Sequence, residues 1–216
     1  MDTAKLNNVK PAHKFFDAYL DNDLEDFYNY LDNLTSSFLN DNILNIPAEE
    51  LLNFSRQTGA PTQLGKYYNI FSFEYPGIQK LQEAIRQMVD EASEYYGVDK
   101  DTKFYLNGWF NLDNKTEDAD FGVNPLKNDR FFHDHMGGQG SPVFHGYYCI
   151  NAEPSKTFYD VDRSGKIFEN INKNNRAILS ETGHPHGRDD WFEEKPRITI
   201  AYDVTPNFFG GTWIEL

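Results

Sequence analysis

The sequence predicts an α+β fold, mainly β, in which N-terminal helices pack on the outside of a C-terminal β-sandwich or barrel. Two observations carry this expectation. Before Tyr96, apolar residues recur at three- and four-residue intervals, the period of helices that bury one face. From Phe104 onward the chain changes to short stretches rich in Phe, Tyr, Trp, Ile and Thr, separated by Gly, Asn, Asp and Pro clusters. Helices followed by strands, rather than alternating with them, give the α+β order. The 216 residues suffice for one sizeable core. A single domain, 1–216, is expected, with 1–103 as mainly helical support and 104–216 as the β core.

The first helix is expected over Leu24 to Leu39, where Leu24, Phe27, Tyr28, Leu31, Leu34 and Phe38 share a face with Asp and Asn between them. A short second helix is expected after Pro47, because Pro followed by Glu49 and Glu50 suits a helix start. The third runs from Ile78 to Tyr96, where Ile78, Leu81, Ile85, Met88, Val89 and Ala92 form one stripe and Gly97 supplies a stop. Strands are expected near Phe104–Leu112, Arg130–His135, Val143–Asn151, Thr157–Val161, Ala177–Ser180, Arg197–Val204 and Thr212–Leu216. The polar stretch from Asp113 to Asn128 reads as a surface loop, with a lid as the second reading.

Composition narrows the function classes. A formal charge of -14, from 34 acidic against 20 basic residues, opposes non-specific attraction to nucleic acid or anionic membrane. An anionic small ligand would therefore need a locally placed cation. Cys149 is the only cysteine, so no intrachain disulfide can form. No apolar run approaches a membrane span, and the polar stretch from Met1 to Pro11 has no signal-peptide core. These features lead us to expect a soluble, cytoplasmic protein.

Five of the six histidines fall between His133 and His186. In an extended strand alternate side chains share a face, so His133 and His135 project together while Asp134 points away. Two imidazoles on one face can grip one metal ion, and imidazole suits Fe, Zn, Cu and Ni. A third ligand must come from elsewhere; His186 is the natural choice, with His184 competing. The simpler reading is a chance His-x-His pair on an exposed strand. Arg197 and Thr199 share a face by the same rule, and a guanidinium beside a hydroxyl matches a carboxylate. Taken alone, Arg197 is better read as paired with Asp189, Asp190, Glu193 or Glu194.

In combination these residues resemble the 2-oxoglutarate- and Fe(II)-dependent dioxygenases, whose pattern is His-x-Asp/Glu, a distal His and, about ten residues later, Arg-x-Ser. Here the chain has His133-x-His135, His186 and Arg197-x-Thr199. The stretch Phe132–Tyr148, with Gly146-Tyr147-Tyr148, and the strand Trp109-Phe110-Asn111 look most like the small phage and bacterial branch with a His-x-His motif. The resemblance covers about Phe104 to Val204. It implies a double-stranded β-helix (jelly roll, cupin-like), with Fe(II) held by His133 and His186. It also implies that Arg197, Thr199 and Tyr148 bind the distal carboxylate of 2-oxoglutarate. His135 stands where the family usually has its acid. Three histidine ligands, Asp134 reaching the metal through a bulge, or His135 behind the ligands remain open, with three histidines favoured.

The activity so implied is hydroxylation of a substrate C–H bond, coupled to oxidative decarboxylation of 2-oxoglutarate to succinate. A peptide or protein residue such as proline is the favoured substrate. Two other readings stand beside it: a cupin-like three-histidine metalloenzyme that does not use 2-oxoglutarate, and a non-catalytic jelly-roll binding module. His145 reads as structural, Met136–Gly140 as a flexible connection, and Cys149 as a buried hydrophobe.

Overall fold

The computed structural model describes residues 12–50, 67–115, 132–135, 143–208 and 210–216. Most of the loop expected from Asp113, the first residues of the strand expected at Arg130, and the Met136–Gly140 connection lie outside the described residues.

The described chain is mostly antiparallel β-sheet with few helices. Its strands are β1 Phe15–Tyr19, β2 Tyr105–Asp113, β3 Phe144–Asn151, β4 Lys156–Asp160, β5 Ile167–Ile171, β6 Arg176–Glu181, β7 His186–Arg188, β8 Arg197–Thr205 and β9 Ile214–Glu215. They form a six-stranded sheet in the order β1-β6-β3-β8-β2-β9 and a three-stranded sheet in the order β5-β4-β7. The two sheets pack face to face, because Tyr147, Cys149 and Ile178 of the large sheet share a small core with Tyr159 of β4. The arrangement is jelly-roll-like.

Helices α1, Leu24–Ser36, and α2, Pro76–Tyr96, cover the other face of the large sheet. Asp23 starts α1 by accepting the Glu25 and Asp26 backbone N–H groups, at 3.1 Å each. The expected α2 stripe of Ile78, Leu81, Ile85, Met88, Val89 and Ala92 is buried, and Gly97 ends the helix with φ at +68°. Beneath the helices lie Phe16, Leu179, Tyr148, Ile200, Tyr202, Val204 and Leu106, which make the main core.

The period-two alternation thus splits the large sheet into two chemistries. Ile198, Ile200, Tyr202 and Val204 of β8 join the helix-side core, while Arg197, Thr199 and Asp203 alternate with them and face the other way. On β3, Phe144, Tyr148 and Ile150 belong to the helix side and His145, Tyr147 and Cys149 to the opposite side. A polar face pressed against a second sheet is where a site can be built.

Several expectations need correction. Three strands, β1, β5 and β7, were not expected. β1 pairs with β6 at the edge of the large sheet, so the first 103 residues contribute a strand as well as helices. The helix expected to reach Leu39 ends at Ser36 and continues as a wide π turn over Ser37–Asp41, closing at Asn42 with φ at +46°. Residues 48–50 are helical, as expected after Pro47. Of the strand expected at Arg130–His135, the described part contributes only a bridge at His133. The last strand is restricted to Ile214–Glu215.

Candidate metal and carboxylate site

The site begins with a backbone pairing. His133 and His186 exchange two hydrogen bonds, N–H to carbonyl, at 2.9 and 2.8 Å, in an antiparallel bridge. That bridge sets their rings 4.5 Å apart between centroids, and the His135 ring lies 5.4 Å from His133 and 5.2 Å from His186. One ligand atom from each of the three lies within 4.8 Å of the others. An ion with metal–nitrogen bonds of about 2 Å spans up to about 4 Å between ligand atoms, so a small inward shift would seat one.

Hydrogen bonds decide which nitrogen each ring offers. The His186 Nδ1 faces the His184 carbonyl at 3.2 Å, and a carbonyl only accepts, so the proton sits on Nδ1 and Nε2 keeps its lone pair. The His135 Nδ1 lies 2.8 and 3.0 Å from the two oxygens of Asp203. His135 Nε2 is buried without a hydrogen-bond partner. Such an orphaned, lone-pair-bearing nitrogen fits a metal ligand and is costly otherwise. Asp203 holds a second imidazole through His145 Nδ1 at 3.1 Å, and the His145 ring lies 3.9 Å from His135 and 4.5 Å from His186. Sequence reading had set His145 aside as structural; it is buried inside this histidine cluster.

Burial keeps the His186 and His145 rings neutral, the form that ligates metal. Burial, followed by repulsion from the neighbouring imidazoles, holds His186 well below its ordinary range, and the same causes, opposed by Asp203, bring His145 to about 4. Burial pushes against ionisation of Asp203, yet the two imidazole N–H donors outweigh it and bring its carboxyl to about 2. Asp203 thus stands as a fixed negative charge beside the neutral His145 ring.

The other candidates separate cleanly. Asp134 points away and pairs with the exposed Arg163. His184 belongs to a different cluster, with His13 and Glu181. Cys149 is buried, and burial pushes its thiol up to about 12, in keeping with an inert hydrophobe.

Arg197 is 4% exposed and faces the space between the sheets. Its Nη1 donates to Asp113 at 3.0 Å and its Nε to the Ser155 hydroxyl at 3.2 Å. The other Asp113 oxygen accepts from Arg188 Nη2 at 2.9 Å. The partner is therefore Asp113, directly opposite in register on β2, and not Asp189, Asp190, Glu193 or Glu194. One carboxylate thus bridges two guanidiniums, and their planar N–H forks suit a further carboxylate. Thr199 lies beside them and accepts from Asn111 Nδ2 at 3.3 Å.

Tyr148 does not join this group. It lies on the helix side of β3, where its hydroxyl accepts from Asn22 Nδ2 at 2.9 Å and donates to Asn175. The residue of that pair on the inner face is Tyr147, whose hydroxyl donates to Asn172 at 2.9 Å. Strand alternation carried the signal, because Tyr148 is an odd number of positions from His145. Arg188, Asp113 and Asp203 were also missed. Only Asp203 had a usable sign, since it continues the Arg197–Thr199 face by period two.

No protein-family model matches the chain, and no curated protein matches it in sequence. Solved structures do resemble it. A prolyl-4-hydroxylase from Pseudomonas putida superposes with a TM-score of 0.53 at 8% identity, covering 90% of this chain and 89% of that one. AviO1 from Streptomyces viridochromogenes Tue57 gives a TM-score of 0.51 at 9% identity, covering 91% and 90%. At these identities the likeness is one of fold. Among the described residues no helix is long and apolar enough to cross a membrane.

Proposed function

We propose that this chain is an Fe(II)- and 2-oxoglutarate-dependent oxygenase in which His133, His135 and His186 hold the metal. Arg197, with Thr199 and Arg188, receives the distal carboxylate of the oxoacid. The observation that carries the reading is the convergence of three imidazoles within reach of one ion, in a chain that also buries Arg197 between its strands. The fold likeness to a prolyl-4-hydroxylase supports it, as does the order of the motif along the chain.

The chain's own residues then have distinct tasks. Asp203 orients His135 and fixes its tautomer, supplying from behind the ring the negative charge that a direct carboxylate ligand would bring. The His184 carbonyl does the same for His186. Arg197 and Arg188 orient the anionic end of the oxoacid, and the packed sheets exclude water. Bound there, iron and 2-oxoglutarate would supply the oxidising power for hydroxylation of a C–H bond by dioxygen. The substrate we favour is a peptide or protein residue such as proline.

One observation favours a second reading, a three-histidine metalloenzyme that needs no 2-oxoglutarate: Arg197 already has a carboxylate partner in Asp113. Succinate formation separates the two. With Fe(II), dioxygen and candidate peptides, the oxygenase reading requires succinate in step with substrate oxidation. Metal-dependent turnover that is indifferent to 2-oxoglutarate would instead establish the second.

A further inference from the structure

A second cluster of metal-ligating side chains lies outside this centre. His13, Glu181 and His184 each offer one ligand atom, and those atoms lie within 4.8 Å of one another. They come from three separate segments: the chain just before β1, the last residue of β6, and the loop that leads into β7. The rings of His13 and His184 meet edge to face at 4.0 Å, and His13 also packs edge-on against Phe15 at 4.7 Å. Phe15 is itself in contact with Tyr159 and Phe168, so one side of the cluster is an aromatic wall of low polarity. His184 is 6% exposed, while His13 and Glu181 are half-buried.

Two imidazoles and one carboxylate are a donor set for zinc, which takes four ligands and leaves the remaining position to water when the protein supplies three. A divalent ion also offsets the negative charge of a half-buried carboxylate beside an aromatic wall, where solvent screening is weak. We propose that His13, Glu181 and His184 form a second, zinc-binding site, independent of the iron centre. It would clamp the N-terminal segment of β1 to the loop before β7. The mechanical consequence follows from one contact: the backbone carbonyl of His184 receives the His186 Nδ1 hydrogen at 3.2 Å. Zinc bound by the His184 ring would steady the carbonyl that sets the His186 tautomer.

Equilibrium dialysis of the metal-free full-length protein against Zn(II), with metal counted per chain, tests this. Zinc also suits a three-histidine centre, so the separation rests on variants. The His135→Asn protein is expected to retain one equivalent of zinc. That equivalent should disappear on adding Glu181→Gln or, as an independent change at the half-buried rim, His13→Asn. Circular dichroism of each metal-free variant confirms that it is folded. Should His135→Asn bind no zinc, or should its zinc survive both Glu181→Gln and His13→Asn, the second site is overturned. Failure of the iron centre leaves this result readable, because the His135→Asn background does not depend on that centre.

Discussion

Asp203 grips two imidazoles at once, and neither its position nor its partners could be inferred from residue type alone. Replacing it with Asn removes the charge and allows the amide to present a donor to His135 in place of an acceptor. Metal affinity at the three-histidine centre should fall about 10- to 100-fold, the usual cost of losing a carboxylate behind a ligating histidine. Isothermal titration of Asp203→Asn with Fe(II) measures it, and an unchanged affinity would remove Asp203 from the account. Arg197 calls for a gentler change, since removing one member of a buried ion pair costs about 3–5 kcal/mol. Arg197→Lys keeps the charge but loses the planar fork, so the KM for 2-oxoglutarate should rise about tenfold or more while metal affinity stays put. Steady-state kinetics and metal titration together check that split. His133, His186 and Arg197 were legible because they are rare, chemically marked residues in a recognisable order. Asp113 was not, because one acid among 34 becomes meaningful only when β2 and β8 are set side by side, and Asp203 offered only its period-two place on β8.

At the scale of elements, β3 and β8 carry the structure on one face and the site on the other. Their close approach depends on Gly146, where an added Cβ would lie 2.1 Å from the Ile178 carbonyl oxygen and 2.4 Å from the Tyr202 ring. That gap lets Tyr202 reach across and donate its hydroxyl to the same carbonyl at 2.7 Å. Gly146→Ala should therefore destabilise the fold by about 3 kcal/mol, the upper end of overpacking costs, whereas Tyr202→Phe should cost about 1 kcal/mol. Chemical denaturation of the two variants checks the ranking; a Gly146→Ala protein as stable as the parent would refute the packing described. The long helices were legible because α2 repeats its apolar stripe over about four turns, from Ile78 to Ala92. β5 alternates only weakly, β7 has three residues, and β1 lies among helices, so none offers enough period to read. Their pairing partners, distant in sequence, define them.

Over the whole molecule, acidic surface charge contrasts with a buried Arg197 and a partly exposed Arg188 that share Asp113. A net charge of -14 does not attract an oxoacid, so the proposed function assigns its recognition to Arg197 and Arg188. A metal at the proposed centre would couple distant parts of the chain, because His133 and His186 lie 53 positions apart yet would share one ion. An ion that binds the folded chain and not the unfolded one stabilises it by about 2.7 kcal/mol at a concentration 100 times its Kd. For a chain of this length that is a rise in Tm of about 5–10 °C. Thermal melts with and without Fe(II) under anaerobic conditions should show the rise, and a chelator should reverse it. In the His135→Asn/His186→Ala double variant the iron-dependent rise should be lost. The helices lie against the outer face of the large sheet. Within the first 103 residues β1 pairs with β6 at the edge of the large sheet.

The most direct measurement is anaerobic titration of the metal-free protein with Fe(II) and 2-oxoglutarate, followed by visible absorption. If the three imidazoles hold iron beside Arg197, a weak charge-transfer band appears only when both are present, saturates at one iron per centre, and weakens in Arg197→Lys. No band under saturating iron and oxoacid, or a band that survives loss of both His135 and His186, would contradict the proposed centre.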